Sequence, residues 1–156
     1  MLGGYISDLE PGDVFTPVEY VLTADMAAEY AHGCEETAEM FLAPVGPGGR
    51  QVRPPTMVHA DKMRMLDANT TKERRLQGIK SNDARVHYQY HCHNHSIGYV
   101  GETFRVTCRI TGKYVKRNRH FLTYHMEVHA GDGRLICTYD DITLLRYRPD
   151  GENANG

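Results

Sequence analysis

From residue 84 onward apolar and polar residues alternate with a period of two, and before it the apolar residues recur at helical spacing. The alternation predicts four strands, over 85–96, 102–116, 120–130 and 134–147. In the second, Phe104, Val106, Cys108 and Ile110 alternate with Arg105, Thr107, Arg109 and Thr111, as in a sheet with one face on a core. The third sets Leu122, Tyr124, Met126 and Val128 on one face. Gly131, Asp132 and Gly133 predict a hairpin turn, and Arg117, Asn118 and Arg119 a second, so these strands are antiparallel neighbours.

The first half opens with a strand over 14–22, broken or placed at an edge by Pro17. Thr23 then caps a helix with Asp25 in its first turn, and Met26, Tyr30, Gly33/Cys34, Thr37 and Phe41 share one face at helical spacing. Residues 43–50 (APVGPGGR) are a loop by composition. Pro54 and Pro55 close an extended lead-in, Thr56 is positioned to cap a second helix running to Ala68, and Asn69 is a candidate left-handed terminator. The apolar residues of this helix (Met57, Val58, Ala60, Met63, Met65, Leu66, Ala68) spread around most of its circumference, so it is expected to be wrapped by other elements. A polar connection over 70–83, including Lys72, Glu73, Arg74 and Arg75, leads to the strands, and a polar tail follows from residue 149. The order predicts an α+β domain over 1–148, with an antiparallel sheet curled around one central helix and a flexible tail over 149–156.

Composition narrows the function. At 156 residues the chain is one domain, and a formal net charge of −2 argues against nucleic acid as a partner. No apolar run reaches the length of a membrane span, and the first residues lack the basic start and apolar core of a signal peptide. Four scattered cysteines without a CxxC pair read as reduced thiols of a cytoplasmic protein. Nine histidines against no tryptophan is the conspicuous bias. Period two places His87, Gln89, His91, His93 and His95 on one strand face, opposite Val86, Tyr88, Tyr90 and Cys92, with His125 and His129 on a single face of another strand. Alternate residues stand roughly 6.5 to 7 Å apart, wide for ligands to one ion. A polar or partner-facing surface is therefore expected, and no metal.

Several short segments carry a resemblance: Gly12-Asp13-Val14-Phe15, Tyr30-Ala31, Val52-Arg53-Pro54-Pro55-Thr56, Arg85-Val86-His87, and Tyr99-Val100-Gly101-Glu102-Thr103. In order and spacing, over about residues 12–147, the chain resembles the MaoC-like dehydratase and hydratase family, in particular its subgroup similar to the dehydratase domain of fatty acid synthase. The resemblance implies a hot-dog fold, usually dimeric, and binding of an acyl thioester of coenzyme A or of a carrier protein. It implies no cofactor beyond the coenzyme A of the substrate, and a reaction that adds water reversibly across an α,β double bond. Active members carry an Asp and a His about five residues apart. Here the matching stretch runs from Tyr30 to Phe41, with Glu35 or Glu36 at the Asp position and Glu39, Met40 or Phe41 at the His position.

Hydration needs a group to take a proton from water, one to protonate the α-carbon, and donors for the developing enolate oxygen. Glu35, Glu36 and His59 are the candidate acid/base groups. Tyr30, His32, Arg53, Thr56 and His87 are candidate substrate contacts from the segments that carry the resemblance or adjoin them. Lys116, Arg117 and Arg119, in the densest basic segment, suit the phosphates of coenzyme A. Three functions stay open: an enoyl-CoA hydratase or hydroxyacyl dehydratase with a non-standard acid/base pair, a non-catalytic subunit that pairs with an active hot-dog chain, or a hot-dog thioesterase. A homodimer is expected, with a heteromer as the alternative, because the strand over 85–96 has no proline or lysine to blunt an open edge.

Overall fold

Four long strands follow one another in the second half of the chain and pair as the alternation predicts. The computed structural model describes residues 6–70 and 84–146. Residues 71–83 of the expected connection over 70–83, and the tail over 149–156, lie outside the described residues. The elements are β1 (Val18–Val21), α1 (Ala24–Gly33), α2 (Glu39–Leu42), α3 (Val58–Asn69), β2 (Ala84–Asn94), β3 (Thr103–Lys116), β4 (Arg119–Ala130) and β5 (Leu135–Arg146). They form one five-stranded antiparallel sheet in the order β1-β3-β4-β5-β2, with α3 against its inner face.

Alternation sets the core. Phe104, Val106, Cys108 and Ile110 from β3 and Leu122, Tyr124, Met126 and Val128 from β4 are buried, as are Tyr139 and Leu145 from β5. Met57, just before α3, and Val58, Met65 and Leu66 within it pack into the same cluster. Each such side chain contributes about 1.5–3 kcal/mol of transfer free energy. The β3–β4 hairpin closes through Arg117 and Asn118, both left-handed at φ 50° and 58°, as a two-residue type I′ turn requires.

Several expectations give way to tertiary structure. The first strand is only four residues long, and Val14 makes an isolated bridge to Arg109 instead of belonging to it. α1 stops at Gly33, and Glu35 turns left-handed at φ 55°, so Thr37 and Phe41 do not extend its face. Thr23 caps α1 as expected, its hydroxyl accepting from Met26 N. Thr56 does not cap α3; a 3-10 turn over Pro55–Met57 leads in, and Thr56 offers its carbonyl to the Tyr30 hydroxyl. Asn69 is not left-handed but helical, and its buried amide bonds Met65 O and both backbone groups of Thr16, tying the helix end to the chain before β1. Nor is α3 enclosed all round. Its buried stripe is Val58, Asp61, Met65, Leu66 and Asn69, while Met63, Asp67 and Ala68 are exposed. Two of the five buried positions are therefore polar.

The largest departure is in β2. His87 pairs with Thr143 and Gln89 with Ile142, so Tyr88 is one extra residue, a β-bulge. A single inserted residue inverts the alternation. His87 thus parts from Gln89, His91, His93 and His95, and joins the face of Tyr90 and Cys92 that looks toward the core.

Candidate functional site

Two polar clusters lie under α3. The first joins β1, the lead-in and the helix. Arg53 is buried and paired with the fully buried Asp61, which accepts from the Tyr20 hydroxyl at 2.6 Å and lies 3.5 Å from Arg64 Nη1. The Arg64 guanidinium stacks 4.2 Å over the Tyr20 ring. Burial alone would lower the Arg53 pKa, but Asp61 and Tyr20 outweigh it and raise it, while burial beside Asp61 pushes the Tyr20 phenol up. Arg53 Nε has no hydrogen-bond partner among the described residues. Arg53 also lines a cavity of about 220 Å³ with Val52, Pro55, Ile97, Gly98 and Ile136, at the start of the helix.

The second cluster sits between α3 and the β5–β2 edge. Asp141 has no side-chain exposure. Its Oδ1 accepts from the Thr143 hydroxyl at 2.6 Å and its Oδ2 from the Tyr139 hydroxyl at 2.9 Å. Lys62 Nζ lies 3.4 Å and His87 Nδ1 2.9 Å from the same Oδ2. His59, one helical turn before Lys62, packs edge-on against the rings of Tyr90, Tyr139 and His87, with centroids at 4.9, 5.5 and 6.0 Å. Tyr90 stacks on Tyr139 at 5.4 Å. Burial, then the charges of Lys62 and His87, lower the His59 pKa, so its ring stays neutral near neutral pH. Burial and Asp141 push the Tyr139 phenol well up, leaving it a donor.

The structure distributes the sequence candidates among five places. His59 and His87 come together in the second cluster, and Arg53 belongs to the first. Tyr30 bonds Thr56 O at 2.7 Å, which sets the end of α1 beside the start of the central helix. His32, Glu35 and Glu36 are exposed on the turn that ends α1, where Glu36 Oε1 accepts from Ala38 N at 2.9 Å. Lys116, Arg117 and Arg119 stand exposed at the β3–β4 tip, none of them in an ion pair among the described residues.

His91 and Gln89 bond to each other at 3.0 Å, and His93 stacks on His95 at 4.5 Å. His125 meets Asp140 at 2.7 Å and Glu127 at 3.4 Å. Among the described residues no three His, Cys, Asp or Glu side chains gather as metal ligands. The cysteines are free thiols, and burial pushes Cys108 and Cys137 up to about 12. Lys62, Tyr139 and Asp141 were not among the sequence candidates. The parity of β5 carried the signal, because Tyr139, Asp141 and Thr143 share the inward side of a strand next to the helix.

No family model and no curated protein matches the sequence. Solved structures do. A MaoC-like dehydratase from Rhodospirillum rubrum is 14% identical with a TM-score of 0.68, over 94% of this chain and 99% of that one. The (R)-hydratase of A. caviae involved in PHA biosynthesis is 14% identical with a TM-score of 0.66, over 87% and 96%. The C-terminally truncated HadBC complex of Mycobacterium tuberculosis, a 3R-hydroxyacyl-ACP dehydratase, matches at 14% identity and a TM-score of 0.65, over 87% and 98%. The chain shares their fold, a curled antiparallel sheet around a helix, which is the hot-dog fold. Among the described residues no helix is long and apolar enough to cross a membrane.

Proposed function

We propose that this chain is a MaoC-like enoyl-thioester hydratase or 3-hydroxyacyl dehydratase, acting on an acyl group carried by coenzyme A or a carrier protein. What carries the reading is the end-to-end fold match with a protein named as an (R)-hydratase and another named as a MaoC-like dehydratase. His59 supplies a neutral imidazole on the central helix, packed against Tyr90, Tyr139 and His87. Lys116, Arg117 and Arg119 offer cations for the phosphates of coenzyme A. The thioester is the substrate and no further cofactor enters.

The test is hydration of a short or medium trans-2-enoyl-CoA, followed by loss of its ultraviolet absorbance. The wild type hydrates it, and His59→Ala, which removes the ring packed against His87 and Tyr139, lowers kcat by up to ~100-fold, as a small misplacement of a reacting group does. A wild type without activity sinks the reading, and full activity in His59→Ala sinks the placement of the site beside His59. Release of free coenzyme A instead of hydroxyacyl-CoA identifies a thioesterase.

A second reading rests on the long β2 strand, which ends the sheet among the described residues, and on the HadBC match, a complex by name. In it the chain binds thioester and pairs with a hot-dog chain of different sequence that completes the chemistry. Co-purification from the native source separates the two.

A further inference from the structure

We propose that His87, turned toward the helix by the bulge at Tyr88 and oriented by Asp141, is the proton-transferring residue of the hydration step. The inference rests on the hydratase reading and adds the residue that performs it. Three observations carry it. The β2–β5 ladder pairs regularly apart from a single interruption, and that interruption lies between His87 and Gln89. Bulges occur beside active sites because they re-aim a side chain. Without this one His87 would share the outer face with His91. Next, the carboxylate it meets is fully buried and already holds Thr143 and Tyr139, so its position is set before His87 arrives. Last, the His87 side chain remains 37% exposed, and its Nε2 has no hydrogen-bond partner among the described residues. A ring anchored through one nitrogen and open at the other is the arrangement of a general base.

Nδ1 of His87 lies 2.9 Å from both Asp141 Oδ2 and Lys62 Nζ, and one ring nitrogen can serve only one of them. We assign its proton to the bond with Asp141, since a buried carboxylate is the stronger acceptor and Lys62 reaches that carboxylate directly at 3.4 Å. Nε2 is then bare. It takes a proton from water while the water oxygen bonds the β-carbon and the π pair moves to the α-carbon and thioester oxygen. The resulting imidazolium, balanced by Asp141, returns that proton to the α-carbon and the ring is neutral again. One residue serves both steps, so water adds to a single face of the double bond. Asp141 acts through His87 and is a positioning residue.

The experiment compares wild type, His87→Gln and Asp141→Asn as full chains. Hydration of an enoyl-CoA gives kcat and KM, and ¹⁵N NMR of histidine-labelled protein gives the His87 tautomer, assigned by its loss in His87→Gln. Expected are a wild-type Nδ1–H tautomer that Asp141→Asn shifts toward Nε2–H, and a fall in kcat of ~100-fold or more in His87→Gln, with KM little changed. Because the His87 side chain is 37% exposed whereas Asp141 is fully buried, the glutamine variant is expected to fold even if the asparagine variant does not. Wild-type hydration that His87→Gln leaves intact overturns this inference and spares the hydratase reading, as does a wild-type Nε2–H tautomer. No hydration by the wild type overturns both.

Discussion

Asp61 and Arg53 show how much of the inner face of α3 is held by charge. Asp61 occupies a position in the buried stripe where an apolar residue would ordinarily sit, and its carboxylate meets Arg53, Tyr20 and Arg64. Such a pair is weak evidence for net stability, since desolvating two ions costs several kcal/mol. Breaking it is another matter. Asp61→Asn leaves the Arg53 guanidinium buried, with Nε already unpartnered among the described residues, and is expected to cost about 3–5 kcal/mol. Arg53→Met together with Asp61→Leu removes both charges and is expected to be less destabilised than Asp61→Asn. Urea denaturation of the three proteins measures this, and an Asp61→Asn protein as stable as wild type refutes it.

Among elements, the β3–β4 hairpin tests structure and binding together. Arg117 has φ 50°, a conformation that costs a residue with a Cβ roughly 1–2 kcal/mol. Arg117→Gly removes that strain, partly offset by the entropy of glycine, and is expected to raise stability by up to about 1 kcal/mol. If Arg117 also holds a coenzyme A phosphate, the same change raises KM for a coenzyme A thioester but not for a pantetheine thioester. Thermal melts and paired KM values read the two effects separately. The strands were legible because each has an apolar face and the turns carry their own chemistry. The bulge at Tyr88 was not, because one extra residue alters neither composition nor local propensity. Thr56 and Asn69 were misread for a related reason: their partners, Tyr30 and Thr16, are distant in sequence. His59 could be picked out from its place on the central helix. The environment that gives it meaning, from Asp141 to Tyr90, emerged only when β5 and β2 were laid beside it.

For the whole molecule, the two edges of the sheet are unequal. β1 is four residues long, whereas β2 runs for eleven and exposes Val86, Tyr88 and Tyr90 by 40, 58 and 44%. A long apolar edge of this kind invites another strand. A homodimer joined along β2 is the expected state in solution, with a mass near twice 17.7 kDa, about 35 kDa. Light scattering at micromolar concentration decides it, and a mass near 17.7 kDa refutes it.

The extra residue in β2 also bears on how such a chain can change over time. A strand has only two sides, so its side-chain pattern works like a parity bit that any one-residue insertion or deletion inverts. Loss of Tyr88 would send His87 to the outer surface while every other residue of the strand kept its identity. A lineage could thus silence or regain the Asp141–His87 contact by a single-codon indel, with no change to either contacting residue. Relatives compared by substitutions alone would look nearly the same on both sides of that event.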